Sequence, residues 1–263
     1  MKKIFITIIL SLLCNISFLK AQNLPTSFDH YNIIDGLPDN NINAITQDKY
    51  GFIWIGTSNG LARFDGKNFT EFSGAKNIAP LPSNEILSIK RFNINELLIV
   101  TRMGVTIIDV SIMKSSNLNI PPRSGELRHQ VNKTRDVLIC EDGGFIVITW
   151  SGFYHFNKNK ELIFRYDDYK TSESNNRGFC VFYLKLNKEQ IVVAGQQRVL
   201  LYNITSHTVV NALESNKSFL VLEAIKQFTN HRQFHVLQLK NGEFIVLPYY
   251  ENYLVYIDEI RQT

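Results

Sequence analysis

The chain has 263 residues, 44% of them hydrophobic, 12% aromatic and 20% charged, with a formal net charge of +4. This composition excludes a disordered or fibrous chain and leaves enough apolar side chain to bury a core. Its 28 basic and 24 acidic residues are interspersed along the sequence, without the one-sided basic concentration of a nucleic-acid binder, so nucleic acid is not an expected partner.

The chain begins MKKIFITIILSLLCNISFLKAQ. Lys2 and Lys3 precede an apolar run at 4–13, and the small residue Ala21 stands just before Gln22. This pattern predicts an export signal over residues 1–21, cleaved after Ala21, and a periplasmic mature chain of residues 22–263. An uncleaved signal anchor is the alternative, since the apolar stretch to Leu19 approaches a spanning length. Cys14 follows Leu12-Leu13, where lipid attachment would want small residues. Beyond the signal only Cys140 and Cys180 remain, so no disulfide framework is expected.

Residues 28–34 supply a strand candidate, centred on Tyr31 to Ile34, and Asp35-Gly36-Leu37-Pro38-Asp39 a turn. This lone strand has no sheet of its own and is expected to close a ring by joining the last repeat. Residues 42–72, INAITQDKYGFIWIGTSNGLARFDGKNFTEF, then read as four short strands at 43–47, 52–56, 61–64 and 69–72. Asp48-Lys49-Tyr50-Gly51, Ser58-Asn59-Gly60 and Asp65-Gly66-Lys67-Asn68 are the turns between them. Glycine supplies positive φ, and Asn or Asp tolerates it, so each tetrad reverses the chain between antiparallel strands.

The same pattern returns at 86–118, 134–166, 180–212 and 234–258. Gly104 and Gly152 take the place of Gly60, and Arg198 stands there in the fourth copy. Asp109, Asn157 and Asp258 take the place of Asp65. The spacings are 44 residues from Gly60 to Gly104, 48 to Gly152 and 46 to Arg198. A four-stranded unit at that period is a propeller blade, so the predicted fold is all-β, a β-propeller of about five four-stranded blades. Loops carrying Pro80, Pro82, Pro121 and Pro122 separate the first three blades, and residues 213–228 are expected to form a longer loop or, at 218–228, a strand or helical turn of their own. In this register Cys140 matches Asp48 and Cys180 matches Ile42, an offset of roughly 20 Å along equivalent strands, so both are expected as core thiols rather than a disulfide.

The first repeat resembles the two-component regulator propeller repeat of the periplasmic sensor regions of hybrid two-component histidine kinases. The resemblance rests on Asp35-Gly36-Leu37, on the Gly51 to Thr57 run that includes Trp54 and Gly56, and on the Gly60 to Gly66 closure. It implies non-catalytic sensing of an extracytoplasmic ligand, most often an oligosaccharide, with signalling through further propeller and kinase modules. No kinase phospho-acceptor pattern or ATP-binding glycine box occurs in this chain, and no apolar run after the signal is long enough to span a bilayer. A secreted propeller enzyme acting on polysaccharide, and a truncated remnant or interaction scaffold, are the rival readings.

Weighed for chemistry, Asp65, Asp109, Asn157 and Asp258 recur once per blade, as a turn requires and a single asymmetric site does not. Trp54 is expected in the core between blades. Trp150, at the place of the polar Ser58, is the stacking candidate for a sugar, with Phe153 and Tyr154 beside it and with Tyr249 and Tyr250 at a blade rim. His231 and His235 fall on a strand pattern and do not make a metal pair. His30, His129, His155 and His207 stand isolated in sequence. No cofactor, metal or catalytic motif is read.

Overall fold

The computed structural model describes residues 28–72, 80–120, 133–150, 152–167, 182–194, 199–211, 234–239, 243–248 and 255–257. The chain divides into two compact units, Met1–Asn32 and Ile33–Thr263. The described part of the first, residues 28–32, carries no helix or strand. Every sheet among the described residues belongs to the second. The expected signal segment, Cys180, Arg198, Tyr249, Tyr250 and Asp258 lie outside the described residues, as do His129, His231 and residues 213–228.

The first sheet is β1 (Ile42–Gln47), β2 (Ile53–Thr57), β3 (Gly60–Phe64) and β4 (Phe69–Glu71). The second is β5 (Ile86–Arg91), β6 (Glu96–Thr101), β7 (Gly104–Asp109) and β8 (Lys114–Asn117). The third is β9 (Thr134–Ile139), β10 (Phe145–Thr149), β11 (Gly152–Phe156) and β12 (Leu162–Asp167). The fourth is β13 (Phe182–Lys185), β14 (Gln190–Ala194), β15 (Val199–Asn203) and β16 (Thr208–Asn211), and the fifth is β17 (Phe234–Gln238), β18 (Phe244–Pro248) and β19 (Val255–Ile257). Each sheet is an antiparallel meander in sequence order. Four therefore have the expected four strands, and the fifth has three among the described residues.

The register is repeated by hydrogen bonds as well as by sequence. The backbone N–H that follows the first strand of each sheet donates four residues ahead, from Asp48 to Phe52, Phe92 to Glu96, Cys140 to Gly144, Leu186 to Gln190 and Leu239 to Glu243. At the other end of the hairpin the N–H of Ser58, Arg102 and Trp150 donates back to Asn41, Glu85 and Lys133. These pairings place Cys140 at the position of Asp48, and Trp150 at that of Ser58.

Sheets pack face to face through their middle strands, in which residues of both faces are buried. Trp54 and Leu61 of the first sheet meet Ile86, Ile89, Leu97, Ile99 and Ile108 of the second. Leu98, Val100, Val105 and Ile107 then meet Val137, Phe145, Val147, Tyr154 and Phe156 of the third. Ile146, Ile148 and Phe153 meet Ile191, Val193, Leu200 and Tyr202 of the fourth. Each of these large side chains contributes about 1.5–3 kcal/mol by leaving water, so these interfaces hold the sheets in their stacked order. It also explains why β10 and β11 read as continuous apolar runs, whereas the outer β8, Lys-Ser-Ser-Asn, is largely exposed.

One expected strand is absent. Residues 31–34 do not form one; Ile33–Asp35 is a 3-10 turn instead. The N–H of Gly36 donates to the carbonyl of Ile33, and the Ile33 N–H donates to the Asn40 side-chain oxygen at 3.1 Å. Ile33 and Ile34 are 56% and 90% exposed, so the apolar pair has no sheet face to cover. Among the described residues no helix is long and apolar enough to cross a membrane.

Candidate functional site

The residues of the first repeat are held by its own architecture. Asp48 is buried and its carboxylate accepts from the N–H groups of Tyr50 and Phe52 and from Trp54 Nε1 at 2.8 Å. Trp54 is wholly buried and lies 4.9 Å from the Phe72 ring. A Cβ on Gly56 would meet Ile86 Cγ2 of the next sheet at 2.5 Å, so the two sheets approach only over a glycine. Gly60 has φ +142° and sits against Pro38, while Thr57 Oγ1 donates to the Gly60 carbonyl. The same Thr-to-Gly bond recurs from Thr101 to Gly104 and from Thr149 to Gly152. Leu37 is buried, and Gly51 and Gly66 hold positive φ in their turns.

The recurrent acids make Asx turns. Asp65 Oδ1 accepts from the N–H groups of Lys67 and Asn68, Asp109 Oδ1 from Ser111 and Ile112, Asn157 Oδ1 from Asn159 and Glu161, and Asn203 Oδ1 from Thr205 and Ser206. The Asn68 and Lys67 backbone bonds lower the Asp65 pKa, and the Ser111 hydroxyl does the same first of all for Asp109. Bonds to the ionised form favour it.

Trp150 lies in the turn between β10 and β11 and is 36% exposed. The Arg135 guanidinium from β9 sits 4.9 Å from its ring centroid, a cation–π contact that fixes the indole at the surface. Tyr154, expected beside it, is not at the surface. It is wholly buried in the core between the second and third sheets, with Arg165 5.4 Å from its ring centroid. On β11 Phe153 turns to the fourth sheet and Tyr154 to the second, because successive residues of a strand alternate in direction. Both are wholly buried, so neither lies at the surface with Trp150.

Sequence reasoning missed two polar clusters. In the first, Asp136 of β9 joins three sheets: its carboxylate accepts from Ser88 Oγ and from Tyr183 Oη at 2.7 Å, and Lys90 Nζ lies 2.9 Å away. A buried carboxylate met by three donors is a tie between first strands, with little left to act as a base.

The second lies at the opposite end of β10 from Trp150. Cys140, Asp142 and His155 bring a thiol, a carboxylate and an imidazole within 4.8 Å of one another. His155 Nδ1 is 2.8 Å from Tyr202 Oη, which is 2.9 Å from His207 Nδ1. His155 is wholly buried and its Nε2 has no hydrogen-bond partner; the nearest carboxylate oxygen, Asp142 Oδ2, is 3.9 Å away. Burial pushes the Cys140 thiol up to about 12 and lowers His155 to about 4, so both are neutral at pH 7. Tyr202 is raised, first by burial. His155 and His207, isolated in sequence, are thus neighbours across the sheet interface. The available signal was a histidine inside a strand otherwise apolar on both faces, at the place held by Arg63, Ile107 and Leu201 in the other repeats.

The profile of the family described as Two component regulator propeller matches residues 36–59. A histidine kinase P4 of Formosa agariphila is 47% identical over 51 residues, 19% of this chain and 4% of that protein. Among solved structures, the extracellular domain of a hybrid two-component system of B. thetaiotaomicron superposes with a TM-score of 0.63 at 16% identity, over 89% of this chain and 31% of that one. The extracellular domain of a one-component system of the same organism gives 0.62 at 19% identity, over 84% and 30%. A virginiamycin B lyase of Staphylococcus aureus gives 0.55 at 10% identity, over 91% and 76%. The chain thus spans about a third of the solved extracellular domains that it matches. The fold is a β-propeller, and residues 36–59 at its first blade match the two-component regulator propeller repeat.

Proposed function

We propose that this chain is the extracytoplasmic, ligand-sensing propeller of a hybrid two-component regulator, responding to an oligosaccharide and relying on further modules of the same system for kinase output. The observation that carries the reading is the repeat at residues 36–59, joined to the fold likeness with extracellular sensor domains. Binding is placed at the end of the sheets that bears the β2–β3 and β10–β11 turns. There Trp150 replaces Ser58 and offers an indole held by Arg135. Sugar C–H faces pack on such rings, and the bias toward one sensor arrangement is the signal.

Calorimetric titration of the purified chain with neutral and uronic-acid oligosaccharides tests this reading. Saturable binding that falls about tenfold in Trp150→Ala is expected, the loss of one aromatic contact. Release of reducing sugar from those glycans by the purified chain would replace the sensor with a polysaccharide-cleaving enzyme. A chain that binds none of them would remove the glycan.

A further inference from the structure

We propose that Cys140, Asp142 and His155 form a binding site for a borderline divalent transition ion, Zn2+ foremost, at the interface of the third and fourth blades. The three ligand atoms lie within 4.8 Å of one another. Cys140 and Asp142 come from the β9–β10 turn, whose Gly144 N–H holds Asp142 Oδ1 at 2.8 Å and leaves Oδ2 toward His155. Asp142 is half exposed, so its side chain has the freedom to close the last ångström onto an ion.

The independent sign of a ligand is His155. Its ring is wholly buried, and its Nε2 faces this cluster without a hydrogen-bond partner. Tyr202 has one hydroxyl proton and lies between two imidazole nitrogens. Metal binding selects the sense of this relay in which His155 Nδ1–H donates to Tyr202 Oη and Tyr202 donates to His207 Nδ1, which leaves Nε2 as a lone pair toward the thiol and carboxylate. Metal-ligating histidines carry this kind of outer hydrogen bond, which fixes their tautomer and orientation. Sulfur and imidazole select Zn2+ or Co2+ over Mg2+ or Ca2+, and three protein ligands leave a fourth position for water. As the metal–sulfur bond forms, Cys140 releases its thiol proton to solvent and the ion sheds coordinated water.

The other repeats show that the scaffold does not demand these residues. The place of Cys140 is held by Asp48, Phe92, Leu186 and Leu239, and that of His155 by Arg63, Ile107 and Leu201. Asp48 serves Trp54, and Arg63 Nη1 reaches Met113 Sδ. Only the third repeat puts a thiol and an imidazole at the two places together.

The test is to titrate the reduced, full chain with Co2+ and read the thiolate-to-metal charge-transfer absorption, with metal content measured on the Zn2+-loaded protein. One equivalent, a band removed by Zn2+, and its retention in Cys180→Ser are expected. Cys140→Ser abolishes the band. Asp142→Asn, on an exposed turn, weakens affinity at least tenfold with the metal-free melting temperature unchanged, and Tyr202→Phe weakens it about 10–100-fold through the outer hydrogen bond. A folded parent chain that shows no band and takes up no stoichiometric metal overturns the site, as does a band that persists in Cys140→Ser. Neither outcome touches the oligosaccharide reading, which is tested at Trp150.

Discussion

Replacing Asp48 by alanine should cost the fold about 2–5 kcal/mol. Three donors converge on this one carboxylate: Trp54 Nε1 at 2.8 Å and the N–H groups of Tyr50 and Phe52 at 2.9 and 3.1 Å. The two turn donors can find water in the variant, because Tyr50 is 53% exposed, so each costs no more than a neutral bond, about 0.5–1 kcal/mol. The indole N–H cannot, since Trp54 is wholly buried; leaving it unpaired costs about 1–3 kcal/mol. Asp48→Asn keeps an acceptor and should lose only about 1 kcal/mol. The assay is urea unfolding followed by tryptophan fluorescence, in which buried Trp54 reports on the first interface and Trp150, already at the surface, changes less. In a double-mutant cycle with Trp54→Phe, a coupling near 1–2 kcal/mol should appear. An Asp48→Ala midpoint within 0.5 kcal/mol of the parent, or zero coupling, would refute the idea that this bond fastens the blade.

Gly56→Ala should destabilise by about 1–3 kcal/mol in the same urea assay, because its Cβ would fall 2.5 Å from Ile86 Cγ2; Ile86→Ala in the same chain should recover part of the loss that overpacking causes. Lys160→Gly relieves a left-handed backbone, φ +67°, but removes the 2.5 Å contact of Nζ with Glu96. Terms of about 1 kcal/mol oppose each other there, so the net change should be near zero, whereas Lys160→Met loses up to about 1 kcal/mol without the relief. The Arg102 guanidinium, by hydrogen bond first and charge second, holds the Glu85 pKa below its ordinary 4.5. Its contribution is therefore present above pH 4.5 and lost as pH falls through the lower folded value. Glu85→Gln should flatten that acid limb by less than about 1 kcal/mol, and by less still in high salt, since both side chains are at least a third exposed.

The blades were legible because their turns need particular residues. Gly60 must hold φ +142° and Asp65 must accept from two turn N–H groups, so both leave a signature that recurs at the blade period. Residues 31–34 misled because an aromatic and β-branched string favours a strand only where a sheet face awaits it; Ile34, 90% exposed, has none. Tyr154 was misplaced for a related reason. A strand buried on both faces gives no alternation from which to tell the surface from the core. His155, Cys140 and Tyr202 could not be joined by spacing, because they meet through tertiary packing between repeats 47 residues apart, as the His155 to Tyr202 bond shows.

Equivalent positions carry different chemistry at each sheet interface, and this is where a repeat protein has room for function. The turn after the third strand of a blade reaches back to the blade before it with a residue of positive φ. Met113 reaches Arg63, Lys160 reaches Glu96, and His207 reaches Tyr202 and through it His155. The first contact is cation to sulfur, the second an ion pair, the third a chain of hydrogen-bonded rings ending at a nitrogen without a hydrogen-bond partner. Only the third leaves a buried polar atom unsatisfied, at a cost that a scaffold role does not explain. The third blade departs from the repeat at its other end as well, where Trp150 stands in place of Ser58. His155 lies across from Ile146 of β10, four residues from Trp150, so these two departures stand roughly 13 Å apart. A ligand at Trp150 and an ion at His155 would therefore border the same β10–β11 hairpin without touching each other.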